Sequence, residues 1–156
     1  MAKIDSRLEL ITENTQFGII RKGLSTFERS AHNAPEYIHA KTNITAASGW
    51  IMVQLGFKGH NYAAGKMINY KHVFYSTGGG SIVASSGTEV GSGNALEYAN
   101  TYKASDNYIT VCAKLKDVAR GDIYFTVDAI TANPTGYRFD IEILDWTMTN
   151  SNSGAF

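Results

Sequence analysis

The sequence predicts an all-β protein, an antiparallel two-sheet β-sandwich of jelly-roll type with an extended or partly helical N-terminal arm. The clearest signal is at residues 136–145, where Tyr137, Phe139, Ile141 and Ile143 alternate with polar residues. A period of two is typical of an antiparallel strand with one buried and one wet face. The composition agrees, because nine Tyr, seven Phe and fifteen Gly with 18% charged residues favour short strands and tight turns.

The first strands follow from local patterns in chain order. Glu36–Thr42 comes directly after Pro35, and in Gly49–Lys58 every second residue is large and apolar. A Gly-bounded loop at 59–65 separates that strand from Lys66–Ser76, which is rich in aromatic and β-branched residues.

The later strands are read in the same way. A Gly- and Ser-rich segment at 77–93 precedes Ala95–Lys103. Alternating apolar residues mark Asn107–Leu115 and Asp122–Ala129. An Asn-Pro-Thr-Gly turn introduces Tyr137–Thr147. With a short strand at Ser81–Ala84, seven or eight strands result, as expected for a two-sheet sandwich.

Three regions are predicted along the chain. Residues 1–33 form an N-terminal arm, residues 34–148 the β-sandwich and residues 149–156 a polar tail. Large apolar residues are spaced through the arm and are the candidates for docking onto another protein, although a flexible leader is an equal alternative. These residues are Ile4, Leu8, Ile11, Phe17, Ile19 and Ile20.

The charge balance excludes several classes of partner. Formal net charge is zero over 156 residues, so no basic field draws in nucleic acid. No apolar run has the length of a membrane span and the N-terminus lacks the apolar stretch of a signal peptide. We therefore expect a protein made in a cytoplasm, with no membrane insertion and no nucleic-acid partner.

The sequence contains no evident catalytic or metal-binding constellation. The four histidines, His32, His39, His60 and His72, lack metal-ligand spacing, and the single Cys112 is interpreted as a small strand residue. Asp140 and Glu142 share the wet side of one strand, which is more typical of a solvated face than of paired catalytic acids. We expect no enzymatic activity, no catalytic residues, no metal and no cofactor.

The surplus of aromatic residues points instead to contact. His60, Asn61 and Tyr62 lie together on the predicted Gly-bounded loop and could grip a sugar or a protein. These three residues are the candidate surface-contact site.

Several short segments are similar to a known group of proteins. Glu36–Asn43, Trp50–Tyr62, Asn133–Tyr137 and Phe139–Leu144 together resemble the β-sandwich head modules of tailed-bacteriophage fibre proteins and related virion appendages. The resemblance spans residues 35–146. It implies a homotrimeric, non-enzymatic virion component that is made in the host bacterial cytoplasm, with loops that contact a host-surface glycan or protein.

The resemblance gives residues 1–33 a role as a virion-docking arm onto tail, baseplate or capsid proteins. It does not transfer a receptor-binding residue. Two alternatives remain open at this stage, a capsid decoration or cement protein of the phage head and a carbohydrate-binding, lectin-like module.

Overall fold

The computed structural model describes residues 12–14, 18–31, 35–45, 48–62, 65–77, 81–91, 93–116, 121–133 and 139–156. Ten strands make up most of the described residues, and no α-helix occurs among them. In chain order they are β1 (Thr12–Asn14), β2 (Gly18–Ala31), β3 (Tyr37–Thr45), β4 (Ile51–Asn61), β5 (Lys66–Ser76), β6 (Ile82–Glu89), β7 (Leu96–Lys103), β8 (Tyr108–Leu115), β9 (Gly121–Ala132) and β10 (Ile143–Thr149).

The strands form two antiparallel sheets packed face to face, which confirms the predicted β-sandwich. One sheet has six strands in the order β1-β2-β9-β4-β5-β6, and the other has four in the order β10-β3-β8-β7. The chain crosses between the sheets from β2 to β3 to β4, as in jelly rolls, whereas β4, β5 and β6 form a meander within one sheet.

The core lies between the sheets and follows the predicted alternation. Along β4, Ile51, Val53, Leu55 and Phe57 are all buried, while the intervening Met52 is exposed. The inward residues of β9 lie beside them in the same sheet, and those of β8 belong to the same core from the other sheet. Burial of each large apolar side chain contributes roughly 1.5–3 kcal/mol, so this alternation supplies most of the driving force for the fold.

The N-terminal boundary differs from the prediction, which assigned residues 1–33 to a separate arm. Residues 18–31 form β2, which pairs with β9 from Gly18↔Ala132 to Ala31↔Gly121. The pattern was hidden because Arg21 and Ser25 occupy inward positions and the register shifts between them, around Gly23 with its φ of 63°. The sandwich therefore includes residues from Gly18 onward.

The last predicted strand also begins later than expected. The described residues 139–142 lie outside the ladder, and β10 starts at Ile143. Ile141 is nevertheless buried and Asp140 and Glu142 are exposed, as the alternation predicted. Asn43 holds this segment in place, since its Nδ2 donates to the Asp140 carbonyl at 2.9 Å and its Oδ1 accepts from the Glu142 amide at 2.9 Å.

Candidate functional site

The predicted contact residues lie at the end of β4, on the outer face of the six-stranded sheet, which we call the open face. His60 and Asn61 are the last residues of β4 and Tyr62 follows in a turn, so only Tyr62 is in a loop. Tyr62 is 77% exposed and His60 is exposed, whereas Asn61 is buried. The inward direction of Asn61 follows from strand alternation and removes it from the candidate contact surface.

Strand pairing brings other functional groups beside His60 and Tyr62. Tyr124 on β9 lies opposite His60, with ring centroids 5.8 Å apart, and Glu28 on β2 lies opposite Tyr124. The Tyr62 amide donates to the Asp122 carbonyl at 2.8 Å, which fixes the turn against β9.

These residues surround a cleft of about 270 Å³, which we call the Tyr124 cleft. Its lining combines aromatic rings, two carboxylates and one guanidinium. The lining residues are Glu28, Arg29, His60, Tyr62, Asp122, Ile123 and Tyr124. Tyr rings supply flat apolar surface with a polar tip, and charged planar groups make strong directional hydrogen bonds. Together they suit a ligand that has both apolar ring faces and many hydroxyl groups.

A second feature of the open face is apolar. Trp50 is 50% exposed and Met52 is 49% exposed, and Tyr75 lies beside both. The rings of Trp50 and Tyr75 are 5.7 Å apart at their centroids. We call these three residues the Trp50 patch. It lies at the end of β4 opposite to the Tyr124 cleft.

His39 lies on β3 and points away from the core, because it alternates with the core residue Ile38. It is nevertheless fully buried, because the C-terminal residues 150–156 cross the outer face of the four-stranded sheet, which we call the covered face. His39 Nε2 lies 2.8 Å from Thr149 Oγ1 and 3.0 Å from the Ser151 carbonyl, and the Tyr102 hydroxyl lies 3.0 Å from Nδ1. These contacts fit a neutral ring that donates through Nε2 and accepts at Nδ1.

Cys112 lies under the same segment and is a structural residue. Its Sγ is 4.0 Å from His39 Nε2, a pairing that is used in some enzymes for nucleophilic attack. Burial, however, raises the pKa of the Cys112 thiol to about 12, so the reactive thiolate is absent near neutral pH. Burial also lowers the pKa of His39, against the smaller opposing effect of its hydrogen bond to Ser151.

His72 forms a second buried polar group, between β5 and the neighbouring strands. Its Nε2 lies 2.6 Å from Thr101 Oγ1 and 3.2 Å from Ser85 Oγ. Burial lowers the pKa of His72 to about 4, so the ring is neutral at pH 7. Ser85 and His72 form a hydroxyl–imidazole pair at 3.2 Å. Within the described ranges, no third side chain is hydrogen-bonded to His72 Nδ1 to orient the ring as in a hydrolase triad.

The other predicted sites have varied outcomes. Ile4, Leu8, Ile11 and Phe17 lie outside the described residues. Ile19 and Ile20 belong to β2, and Ile19 is buried there, so it is part of the sandwich rather than a docking residue. In the part of the chain that the structure describes, no three His, Cys, Asp or Glu side chains are grouped to hold a metal ion, and no helix could cross a membrane.

Comparison with known proteins gives no relative: no family model, no curated protein and no solved structure matches the chain.

Proposed function

We propose that this protein is a non-enzymatic, homotrimeric appendage of a tailed-phage virion, and that it contacts a host-surface glycan through the Tyr124 cleft. The cleft carries the proposal, because it groups exposed rings of Tyr62, Tyr124 and His60 with the outward carboxylate of Glu28. Arg29 also lines the cleft, but its register with Ile123 places it on the inward side of β2. A sandwich of this kind holds such a site rigidly, since two of its sides are strands of one sheet.

The chemistry of the cleft favours a saccharide over an extended peptide. Hydroxyl-rich rings offer alternating apolar C–H faces and hydrogen-bonding edges, which match the Tyr faces and the Glu28 carboxylate beside them. A peptide that adds a strand would need the unpaired edge of a sheet. The centre of the cleft, at His60 and Tyr124, lies on strands that are paired on both sides, β4 and β9, so a ligand there is held by side chains.

Binding to an array of bacterial surface polysaccharides tests this proposal. We expect the protein to bind a subset of them, and the double variant Tyr62→Ala, Tyr124→Ala to lose at least tenfold in affinity, because each buried stacked ring contributes on the order of 1 kcal/mol. The matched control is Tyr98→Ala, on the covered face, which should bind as the unaltered protein does. Equal binding by the double variant would overturn the assignment of the cleft.

The Trp50 patch is the proposed contact between copies of the chain. An exposed apolar surface rimmed by polar residues is typical of association, and a formal net charge of zero offers no electrostatic repulsion between copies. Light scattering on the purified chain should give about 51 kDa, three times the 17.0 kDa of one copy. Trp50→Glu with Met52→Glu should yield 17.0 kDa monomers. A monomeric unaltered protein would refute the trimer.

The docking arm is restricted by the fold to the residues before β2. Because β2 is a full member of the six-stranded sheet, removal of residues 2–33 would unfold the sandwich and test nothing about docking. Removal of residues 2–11 keeps β1 and β2 and should give folded trimers that no longer attach to virions. Attachment of this truncated protein to particles would refute the docking role, and the number of copies per particle separates a fibre from a capsid decoration.

A further inference from the structure

Gly56 is a glycine for which the fold gives no reason. It lies in the middle of β4, paired with Lys71 on β5 and with Asp128 on β9. Glycine weakens a strand interior, by up to about 1 kcal/mol on measured propensity scales, because it adds backbone freedom and no packing surface. A glycine in the middle of a strand is usually explained by an unusual backbone conformation or by a close neighbour.

Gly56 has neither an unusual backbone nor a close neighbour. Gly59 on the same strand is a useful contrast. A Cβ added at Gly59 would lie 2.0 Å from the Tyr124 carbonyl oxygen, so packing requires glycine there. A Cβ at Gly56 would meet only Asp128 Cβ at 3.9 Å, an ordinary contact, and Gly56 does not have a positive φ. The missing side chain at residue 56 instead leaves space on the open face.

That space is a hollow of about 200 Å³ with a basic rim, which we call the Gly56 hollow. Three lysines and one aspartate surround it, with apolar and amide groups between them. The lining residues are Ile20, Lys22, Gln54, Gly56, Lys58, Lys71, Asp128, Ala129 and Ile130. Three cations and one anion give a local charge of +2, in a chain whose formal net charge is zero.

The single carboxylate in the hollow is already engaged. Asp128 Oδ1 accepts from the Gly23 amide at 2.8 Å and Oδ2 accepts from Lys58 Nζ at 2.9 Å. Desolvation would raise the pKa of Asp128, but these hydrogen bonds and the nearby lysines outweigh it and lower that pKa. Asp128 therefore stays ionised and neutralises Lys58. Within the described ranges, Lys22 and Lys71 have no ion-pair partner.

We propose that the Gly56 hollow binds the carboxylate or phosphate group of an acidic sugar, with Lys22 and Lys71 as its cationic contacts and Ile20 and Ile130 against its carbon skeleton. The absence of a side chain at residue 56 lets the anionic group approach the sheet, where the lysine charges are less screened than in bulk water. Gln54 supplies an amide beside the same space, which can hydrogen-bond a sugar hydroxyl.

Binding of an acid group in the hollow goes beyond the proposed function and specifies the chemistry of the proposed receptor. His60 lies four positions after Gly56 on β4, which is about 13 Å along a strand. An acidic polysaccharide lying along the open face would contact both sites, so the proposed receptor carries regularly placed acid groups. This last statement rests on the proposed function, whereas binding of a small acid in the hollow does not.

Calorimetric or NMR titration with three monosaccharides tests the hollow directly. Glucuronate carries a carboxylate, glucose 6-phosphate carries a phosphate, and glucose is the neutral control. We expect a dissociation constant of about 1 mM for an acidic sugar, given its size, and no measurable binding of glucose. The acidic sugar should also bind more weakly as salt is raised. Equal binding of glucose and both acids would overturn the proposal, and so would no binding of either acid.

Two variants test separately how the lysine charge and the empty space at residue 56 contribute to acid binding. Lys71→Gln should weaken acid binding about tenfold, while Lys103→Gln, which removes the same charge from an exposed site on the other sheet, should change it less than twofold. Gly56→Val fills the hollow without altering charge and should abolish binding while the melting temperature does not fall. If Gly56→Val folds and binds as the unaltered protein does, the hollow is not the site. That failure would leave the Tyr62 and Tyr124 result standing.

Discussion

The outer faces of the two sheets differ in their exposure to solvent. The open face of the six-stranded sheet carries the Trp50 patch, the Gly56 hollow and the Tyr124 cleft in succession along β4. The covered face of the four-stranded sheet is overlaid around His39, Tyr102 and Lys41 by residues 150–156 of the same chain. Strand alternation therefore determines which side chains point away from the core, but the path of the C-terminal residues determines which of those side chains reach solvent.

The covering segment is held at several points. The Ser105 amide donates to the Phe156 carbonyl at 3.1 Å, the Ala155 amide donates to the Tyr102 hydroxyl at 3.3 Å, and the Phe156 ring lies 4.4 Å from Lys41 Nζ. Beneath it, outward-pointing polar side chains such as His39 are buried. We interpret the covered face as structural and the open face as the surface that binds ligands and partners.

Removal of residues 150–156 should have the largest effect, because it exposes the covered face to solvent as the open face already is. The truncated chain loses several hydrogen bonds of about 1 kcal/mol each and exposes a buried polar group, so we expect a loss of roughly 3 kcal/mol in unfolding free energy. Reaction of Cys112 with an aromatic disulfide reagent should become at least tenfold faster. Asn152→Ala, an exposed change within the segment, is the control and should leave both values unchanged. A truncated protein with an unreactive Cys112 would contradict the covering role.

Acid should weaken the fold through its buried histidines. His72 has a pKa lowered to about 4 by burial, and the pKa of His39 is lowered as well. A group whose folded-state pKa is depressed contributes stability that is fully present above its unfolded pKa near 6.5 and is lost as pH falls toward the folded value. Between pH 7 and pH 4 we expect His72 to account for a loss of about 3 kcal/mol.

Thermal melts of the unaltered protein and His72→Gln over this pH range check the assignment. The variant should be less stable at pH 7 but should lose less stability on acidification, because glutamine does not titrate. If both proteins decline in parallel, the acid sensitivity arises elsewhere.

Single changes on the open face should have the smallest effect on stability. Tyr62 is 77% exposed, so Tyr62→Ala should change the unfolding free energy by no more than about 0.5 kcal/mol. Chemical denaturation measures this value directly. A loss above about 2 kcal/mol would mean that Tyr62 supports the fold, and its role in binding would then need a gentler variant such as Tyr62→Phe.

The parts of the fold that depend on local alternation could be predicted from the sequence. The strands around Leu55 and Phe125 are regular, buried on one face and close to their predicted bounds. β2 could not be found in this way, because Arg21 is turned inward to pair with Asp140, a residue 119 positions away, and a bulge interrupts the period. The inward position of Arg21 is explained only by its ion pair with a residue that is distant in sequence.

The candidate site was predictable only in part, for the same reason. His60 and Tyr62 are adjacent in sequence and were identified together, but Glu28 and Arg29 join them only through the register of β2, β9 and β4. The burial of His39 likewise depends on the return of Thr149 and Ser151. The Gly56 hollow could not be predicted from the sequence. The lack of a steric reason for glycine at residue 56 can be recognised only when the positions of its neighbours are known.

A lysine footprint tests most directly whether recognition belongs to the open face. The protein, free and bound to the array polysaccharide that gives the strongest signal, is acetylated briefly, and each lysine is quantified by mass spectrometry. Lys22, Lys58 and Lys71 line the Gly56 hollow, while Lys103 and Lys114 belong to the other sheet. We expect protection of the first three lysines and unchanged modification of the other two. Protection confined to Lys103 and Lys114 would contradict this expectation.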